Sequence, residues 1–355
     1  TPEKYGIWQS VGDTVGPGGF MRALRTIPMM LEIGHAIRDH APNAFVINYT
    51  NPMTLCVRAL YEAFPGIRAF GCCHEVFGTQ KVLAEALAEE TGIQGVDRAD
   101  IKVNVLGINH FTWLDQASCG GIDLFPVYAS FVEKHYETGI VPNEEGWLNK
   151  HFLCTHRVKF DLFRRYGLIA AAGDRHLAEF MPPWYLADPQ TAATWGFSLT
   201  PVSFRIAQRE TLRERSRKLA AGEETLAINT SGEEGIRQML ALLGLGDLVT
   251  NVNLPNRGQI PNLPQGAVVE TNALFRKGGI QPVTTGTLPG QVLSLVMPHV
   301  INQENTLRAA ISKDRSLAFT TFMADPLVRV GLNDGEKLFA EMLDNTRAYL
   351  PGWFD

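Results

Sequence analysis

The chain has 355 residues, a net charge of −5, a pI near 6.0, and 45% hydrophobic and 19% charged residues. That is ordinary for a globular protein of one large domain or two, and it lacks the basic excess of a nucleic-acid footprint. No apolar run reaches the ~18 residues of a membrane helix, which speaks against a membrane partner.

Thr1 to Gly6 carry no signal-peptide pattern. Gly16-Pro17-Gly18-Gly19 opens a helical pattern with apolar Phe20, Leu24, Ile27, Leu31, Ile33 and Ile37, which Pro28 should kink or shift. Ala44 to Ile47 is a short apolar run suited to a strand buried on both faces. Asn51-Pro52 reads as N-cap and first-turn proline of a helix to Ala63. Ile67 to Cys72 predicts a strand, Thr79 to Glu90 a helix and Ile101 to Leu106 another strand. This βαβαβ series implies an α/β fold with a parallel sheet.

After Asp115 the pattern changes. Segments 125–165 and 203–222 read as helical, the second as a solvated, charged face. Glu233 to Leu243 predicts an amphipathic helix, 248–300 short strands with turns, and Gln303–Leu317 and Asp334–Leu350 further helices. Five cysteines (Cys56, Cys72, Cys73, Cys119 and Cys154) are an odd number for a disulfide scaffold. They point to a reducing, cytoplasmic setting.

Chemistry-bearing residues gather where strands end, the place where open α/β sheets bind ligands. Cys73 follows one strand and His110 another; each is either a packed core residue or a transition-metal ligand. Two protein ligands would leave positions open for substrate oxygens, as in a catalytic site. Asn48-Tyr49-Thr50-Asn51-Pro52-Met53 puts two amides at a third strand end, where Asn51 either caps a helix or serves the site. Asp174-Arg175-His176 is either a solvated ion pair or a general base beside an anion-binding guanidinium. Gly12-Asp13-Thr14 either forms a turn or binds sugar hydroxyls. The G-x-G-x-x-G dinucleotide fingerprint, the G-x-S-x-G elbow, H-E-x-x-H and the P-loop are all absent from these residues.

Five ordered motifs carry a more specific signal: Val11 to Gly19, Asn48 to Met53, Cys73-His74-Glu75-Val76, Gly107-Ile108-Asn109-His110 and Val252 to Asn256. Together they resemble the NAD- and manganese-dependent glycosidases of glycoside hydrolase family 4. The strings Gly71 to Lys81 and Ala171 to Phe180 are most similar to the bacterial α-galacturonidase branch. The resemblance implies a Rossmann-like parallel sheet over residues 1–108. Residues 109–355 would form a C-terminal α+β domain of the lactate/malate dehydrogenase-like type, for substrate, metal and oligomerisation. About a hundred residues holding the adenosine half of NAD are expected to be lacking.

The implied reaction departs from the two-carboxylate scheme of most glycosidases. NAD⁺ takes hydride from sugar carbon 3, a base removes the carbon 2 proton, the glycosidic oxygen leaves, water adds and the ketone is reduced again. Manganese, held by Cys73 and His110, would stabilise the enolate. Asp174 is implied as the base, with His74 also catalytic. Asp13, Asn51, Glu75 and Asn109 would meet the sugar, and Asn48, Thr50 and Asn51 the cofactor. Arg175, then Arg157, would read a uronate carboxylate. A homodimer or higher homo-oligomer is expected. The rivals are an α-glucosidase with the same cofactors, a 2-hydroxy-acid dehydrogenase, and an impaired fragment.

Overall fold

The computed structural model describes residues 1–141, 151–227 and 232–354. Helix α1 (Gly16–His40) runs unbroken through Pro28 and buries Phe20, Leu24 and Ile27. A proline inside a helix costs about 3 kcal/mol. Each fully buried large apolar side chain returns about 1.5–3 kcal/mol, so the buried stripe outweighs it. Strand β1 (Phe45–Asn48), helix α2 (Met53–Ala63) and strand β2 (Arg68–Gly71) form one βαβ unit with the strands parallel, followed by α3 (Glu75–Thr91). Asn51 does not cap α2: Pro52 takes that position and the Asn51 side chain turns toward Asp13.

The strand expected next forms as β3 (Lys102–Ile108), but it does not extend the parallel sheet. Gly107 has φ 137° and His110 φ 65°, so the chain reverses at once into β4 (Phe111–Cys119). These two strands pair antiparallel in a second sheet, with β5 (Ile122–Asp123) and β6 (Ile169–Ala170) beside β4. The first sheet is completed from far along the chain by β7 (Leu248–Pro255), β8 (Val268–Arg276) and β9 (Gly279–Pro282), in the order β1-β2-β7-β8-β9. β7 adds antiparallel at Gly71–Asn253, so the sheet draws strands from both halves of the chain. The result is a Rossmann-like α/β layer joined to an antiparallel sheet.

The helix expected over 125–165 is broken into α4 (Leu124–His135) and α5 (Arg157–Tyr166), and its residues 142–150 lie outside the described residues. Helices α6 (Asp174–Phe180), α7 (Pro189–Thr194), α8 (Val202–Ala221) and α9 (Gly235–Leu242) follow. Helix α10 (Gly290–Ser312) starts well before the expected Gln303 and carries Pro298. Helices α11 (Arg315–Met323) and α12 (Leu332–Asn345) close the chain's main core, where Phe20 meets Phe322 and Phe339, and Phe111 stacks on Phe180 at 4.8 Å. This core fixes α6 beneath the β3–β4 turn, which positions the site.

Candidate active site

The site begins at residues 10–14. Gly12 adopts φ 70°, and Gly19 opens α1 so close to the loop that a Cβ there would lie 2.4 Å from the Thr14 carbonyl carbon. Asp13 therefore projects from a tightly held turn. Its Oδ1 accepts from the Thr14 hydroxyl at 2.7 Å and its Oδ2 from Asn51 Nδ2 at 3.0 Å. Burial works against its charge, but His176, His110 and these two hydrogen bonds hold its carboxyl below the usual range.

His110 is buried, with Nδ1 2.9 Å from the Thr14 hydroxyl. That hydroxyl has given its one hydrogen to Asp13, so it accepts from His110. The hydrogen-bond network thus assigns the proton to Nδ1 and leaves Nε2 as a lone-pair donor. Burial first, then neighbouring His176, push the imidazole down to about 3, so it is neutral at physiological pH. The His110 and His176 rings lie 3.7 Å apart, tilted by 31°. Glu75 closes the group: its Oε1 is 3.4 Å from His176 Nε2, and its Oε2 accepts from the Gly173 N–H at 2.6 Å. Burial opposes its charge too, yet His176, His110 and that N–H bring its carboxyl to about 2.

Asp13, His110 and His176 offer ligand atoms within 4.8 Å of one another. Two ionised carboxylates beside a neutral imidazole leave surplus negative charge, and the nitrogen and oxygen donors suit a divalent cation such as manganese. A second convergence, Cys154, His156 and Asp174, is different. Asp174 Oδ1 accepts from Lys159 N at 3.0 Å, and the Val158 and Arg157 N–H groups also face its carboxylate at the start of α5. The Lys159 ammonium is itself buried and donates to Thr79 Oγ1 at 2.8 Å. A helix N-terminus and a buried ammonium favour an anion, so this second group fits the Asp174 carboxylate and not another cation. Burial still raises the Asp174 carboxyl to about 6, and its Oδ2 has no hydrogen-bond partner among the described residues.

The remaining expected residues lie as follows. Cys73 is buried at the exit of β2, outside the converging donors; burial, then the Glu270 and Glu75 carboxylates, push its thiol well above the ordinary value. Asn109 donates to Glu270 Oε2 at 3.2 Å, while its buried Oδ1, like that of Asn51, has no partner among the described residues. Asn48 spends its amide on a local turn, accepting from Thr50 N and donating to Thr50 O. His74 pairs with Glu233 at 3.0 Å. Arg175 donates to Ser198 O and Ser10 O and stacks over Phe152. A cavity of about 890 Å³ brings together His74, Glu75, Lys81, Cys154, Arg175 and His176. Arg157 lies outside this lining, donating to the backbone carbonyls of Tyr136 and Thr194 and facing Trp195. Lys159, and the ligand role of His176, were not evident in the sequence; Thr14 and Glu179 lie within the sequence motifs, but their contacts with His110 and with the 11–12 backbone appear only in the fold.

A carboxylate–imidazole cluster held between a Rossmann-like layer and an antiparallel sheet, with its Glu75 and His176 on the wall of a large cavity, defines a metal-binding α/β enzyme class. The comparisons narrow it. The family 4 glycosyl hydrolase description matches residues 1–89, and the family 4 glycosyl hydrolase C-terminal domain matches residues 105–328. The chain belongs to glycosyl hydrolase family 4. It is 61% identical to an alpha-galacturonidase of Thermoanaerobacterium saccharolyticum, over 99% of this chain and 76% of that protein. It is 53% identical to an alpha-galacturonidase of Bacillus subtilis, over 96% of this chain and 76% of that protein. A crystal structure from Bacillus subtilis, provisionally named a glucosidase, shares 53% identity and a TM-score of 0.92 over 96% of this chain and 78% of its own. The 6-phospho-beta glucosidase of Thermotoga maritima, solved with manganese, NAD⁺ and glucose-6-phosphate, shares the fold at 20% identity, with a TM-score of 0.71 over 98% of this chain and 76% of that chain.

Proposed function

We propose that this chain hydrolyses α-galacturonides, using NAD and a divalent manganese ion. The observation that carries the reading is the 53–61% identity to alpha-galacturonidases across nearly the whole chain. NAD supplies a hydride acceptor for sugar carbon 3, and the metal supplies Lewis-acid polarisation of sugar oxygens. His110 would hold the metal with Asp13 and His176; Cys73, the other expected ligand, lies outside these donors and would join them only by closure of the β2 exit onto the cation. Burial, and then the Glu270 and Glu75 carboxylates, keep the Cys73 thiol protonated in the free chain, and a nearby cation would favour its thiolate.

Asp174 takes the proton from sugar carbon 2. Its carboxyl, at about 6, is ionised at neutral pH yet basic enough to hold that proton. Arg175 reads the uronate carboxylate at the cavity wall, and His74 and Glu75 line the same cavity. The free oxygens of Asn51 and Asn109 accept from sugar or nicotinamide-ribose hydroxyls, with Asn48 and Thr50 shaping the cofactor side of the turn. Residues 1–108, the expected cofactor half, also bring Asp13, His74 and Glu75 to the site, and residues 109–355 bring His110, Asp174, Arg175 and His176. The five free cysteines suit a cytoplasmic enzyme, and we take the assembly to be a homo-oligomer.

The test is nitrophenol release from aryl α-galacturonide and α-glucoside, with NAD⁺, Mn²⁺ and a thiol reductant omitted in turn. Galacturonide cleavage needing all three, without net NADH, is expected. Glucoside preference would replace the substrate, and net NADH would mean a dehydrogenase.

A further inference from the structure

We infer that Glu179 is a positioning residue for the metal-binding cluster: from α6 it holds the backbone of the loop that carries Asp13 and Thr14. This rests on the reading of Asp13, His110 and His176 as metal-binding groups. One oxygen, Oε1, accepts from the Val11 N–H at 2.6 Å and the Gly12 N–H at 2.9 Å, and lies 3.3 Å from the Ser10 hydroxyl. The next residue, Asp13, is fixed by Thr14 and Asn51, and Thr14 in turn sets the His110 tautomer.

Helix α6 also carries His176, and the helix and the loop are clamped a second time. The Arg175 guanidinium donates to Ser10 O at 2.9 Å, and the Ser10 hydroxyl donates to Arg175 O. Glu179 thus ties the loop bearing one ligand to the helix bearing another, across 168 positions of sequence.

The carboxyl is expensive where it stands. It is 1% exposed, burial pushes it up to about 7, and its second oxygen, Oε2, has no hydrogen-bond partner among the described residues. An apolar side chain would fill the volume without that cost but would leave two loop N–H groups without their acceptor. Groups hydrogen-bonded to metal ligands typically change metal affinity about 10–100-fold when removed, and Glu179 acts on the backbone that aims one such ligand.

The experiment is Mn²⁺ binding to the full chain without NAD or sugar, read from the electron paramagnetic resonance of free Mn²⁺, beside thermal unfolding. Glu179→Ala is expected to weaken binding by about 10–100-fold. Glu179→Gln, whose amide oxygen can accept both N–H groups, is expected to restore it. Glu179→Asp draws the acceptor back by one methylene and serves if the alanine variant fails to fold; weakened binding is expected there as well. A folded Glu179→Ala or Glu179→Asp that binds Mn²⁺ as tightly as the parent overturns the inference, even if its unfolding temperature falls. So does a folded Glu179→Gln as weak as the alanine variant. Asp13→Ala separates the two readings: if it also binds like the parent, the metal-site reading fails and takes this inference with it.

Discussion

Arg157 and Arg175 carry the same charge and differ in what their guanidinium groups touch. Arg157 is committed to the carbonyls of Tyr136 and Thr194, so it ties the end of α4 to the end of α7. Arg175 binds Ser198 O and Ser10 O through Nε and Nη2 and still lines the cavity. Replacing Arg175 by Ala is expected to lower kcat/KM for the aryl galacturonide by about 10–100-fold more than for the aryl glucoside, the worth of a charge-assisted hydrogen-bond pair. Replacing Arg157 by Ala is expected to lower the unfolding free energy by about 1–3 kcal/mol and leave the ratio of the two substrates unchanged. Paired kinetics and denaturant unfolding check both; equal losses on both substrates in the Arg175 variant would remove it as the carboxylate reader. Sequence ranked Arg175 ahead of Arg157 but could not show what either guanidinium touches. The difference lies in carbonyls about 20 to 165 positions away, which only the folded chain brings near.

At the level of elements, Asp174 does two things at once. As the first residue of α6 it serves the start of α5, whose own cap position, His156, supplies no side-chain hydrogen bond. Its pKa has a stability consequence. Below about pH 4 the group is protonated in both folded and unfolded chains. Between there and about pH 6 the unfolded chain loses its proton while the folded one keeps it, so stability falls as pH rises, and above 6 the loss is complete. Asp174→Asn keeps an acceptor for the helix and removes the titration. Its stability relative to the parent is expected to rise between pH 4 and 6 by the order of 2–3 kcal/mol and then level off. Asp174→Ala leaves the helix start bare and is expected to cost about 0.5–2 kcal/mol more than Asn. Denaturant unfolding across pH checks this. Activity separates the roles: the Asn variant should be stable and inactive if Asp174 is the base.

The cap is a tertiary contact and was invisible in sequence, as were β4, β5 and β6, whereas β1 to β3, the strands after Leu248, α2, α3 and α8 were legible from apolar patterning, charge and turn residues. The pairing of β3 was not. Ile101–Leu106 reads the same in either sheet, and the tight Gly107–His110 turn decided its partner.

At the scale of the whole molecule, the proposed metal would join parts that are remote in sequence. Asp13 comes from the segment before α1, His110 from the β3–β4 turn and His176 from α6. The motifs that bear the first two could be read in order along the chain, because each is a local strand-end or turn string. Their convergence with His176 could not, because it depends on how α6 packs under the second sheet. An unfolded chain has no such convergence, so metal binding should favour the folded state by mass action. At a free Mn²⁺ concentration one hundred times the dissociation constant, the gain is about 2.7 kcal/mol. For a chain of this size that corresponds to a rise of a few degrees in unfolding temperature. The rise should follow the logarithm of Mn²⁺ concentration, be reversed by a chelator, and shrink in Asp13→Asn, His110→Ala and Cys73→Ser. A Cys73→Ser variant with the full rise would confine the metal to Asp13, His110 and His176. Loss of the rise would instead bring the thiol into the set, through closure of the β2 exit onto the cation.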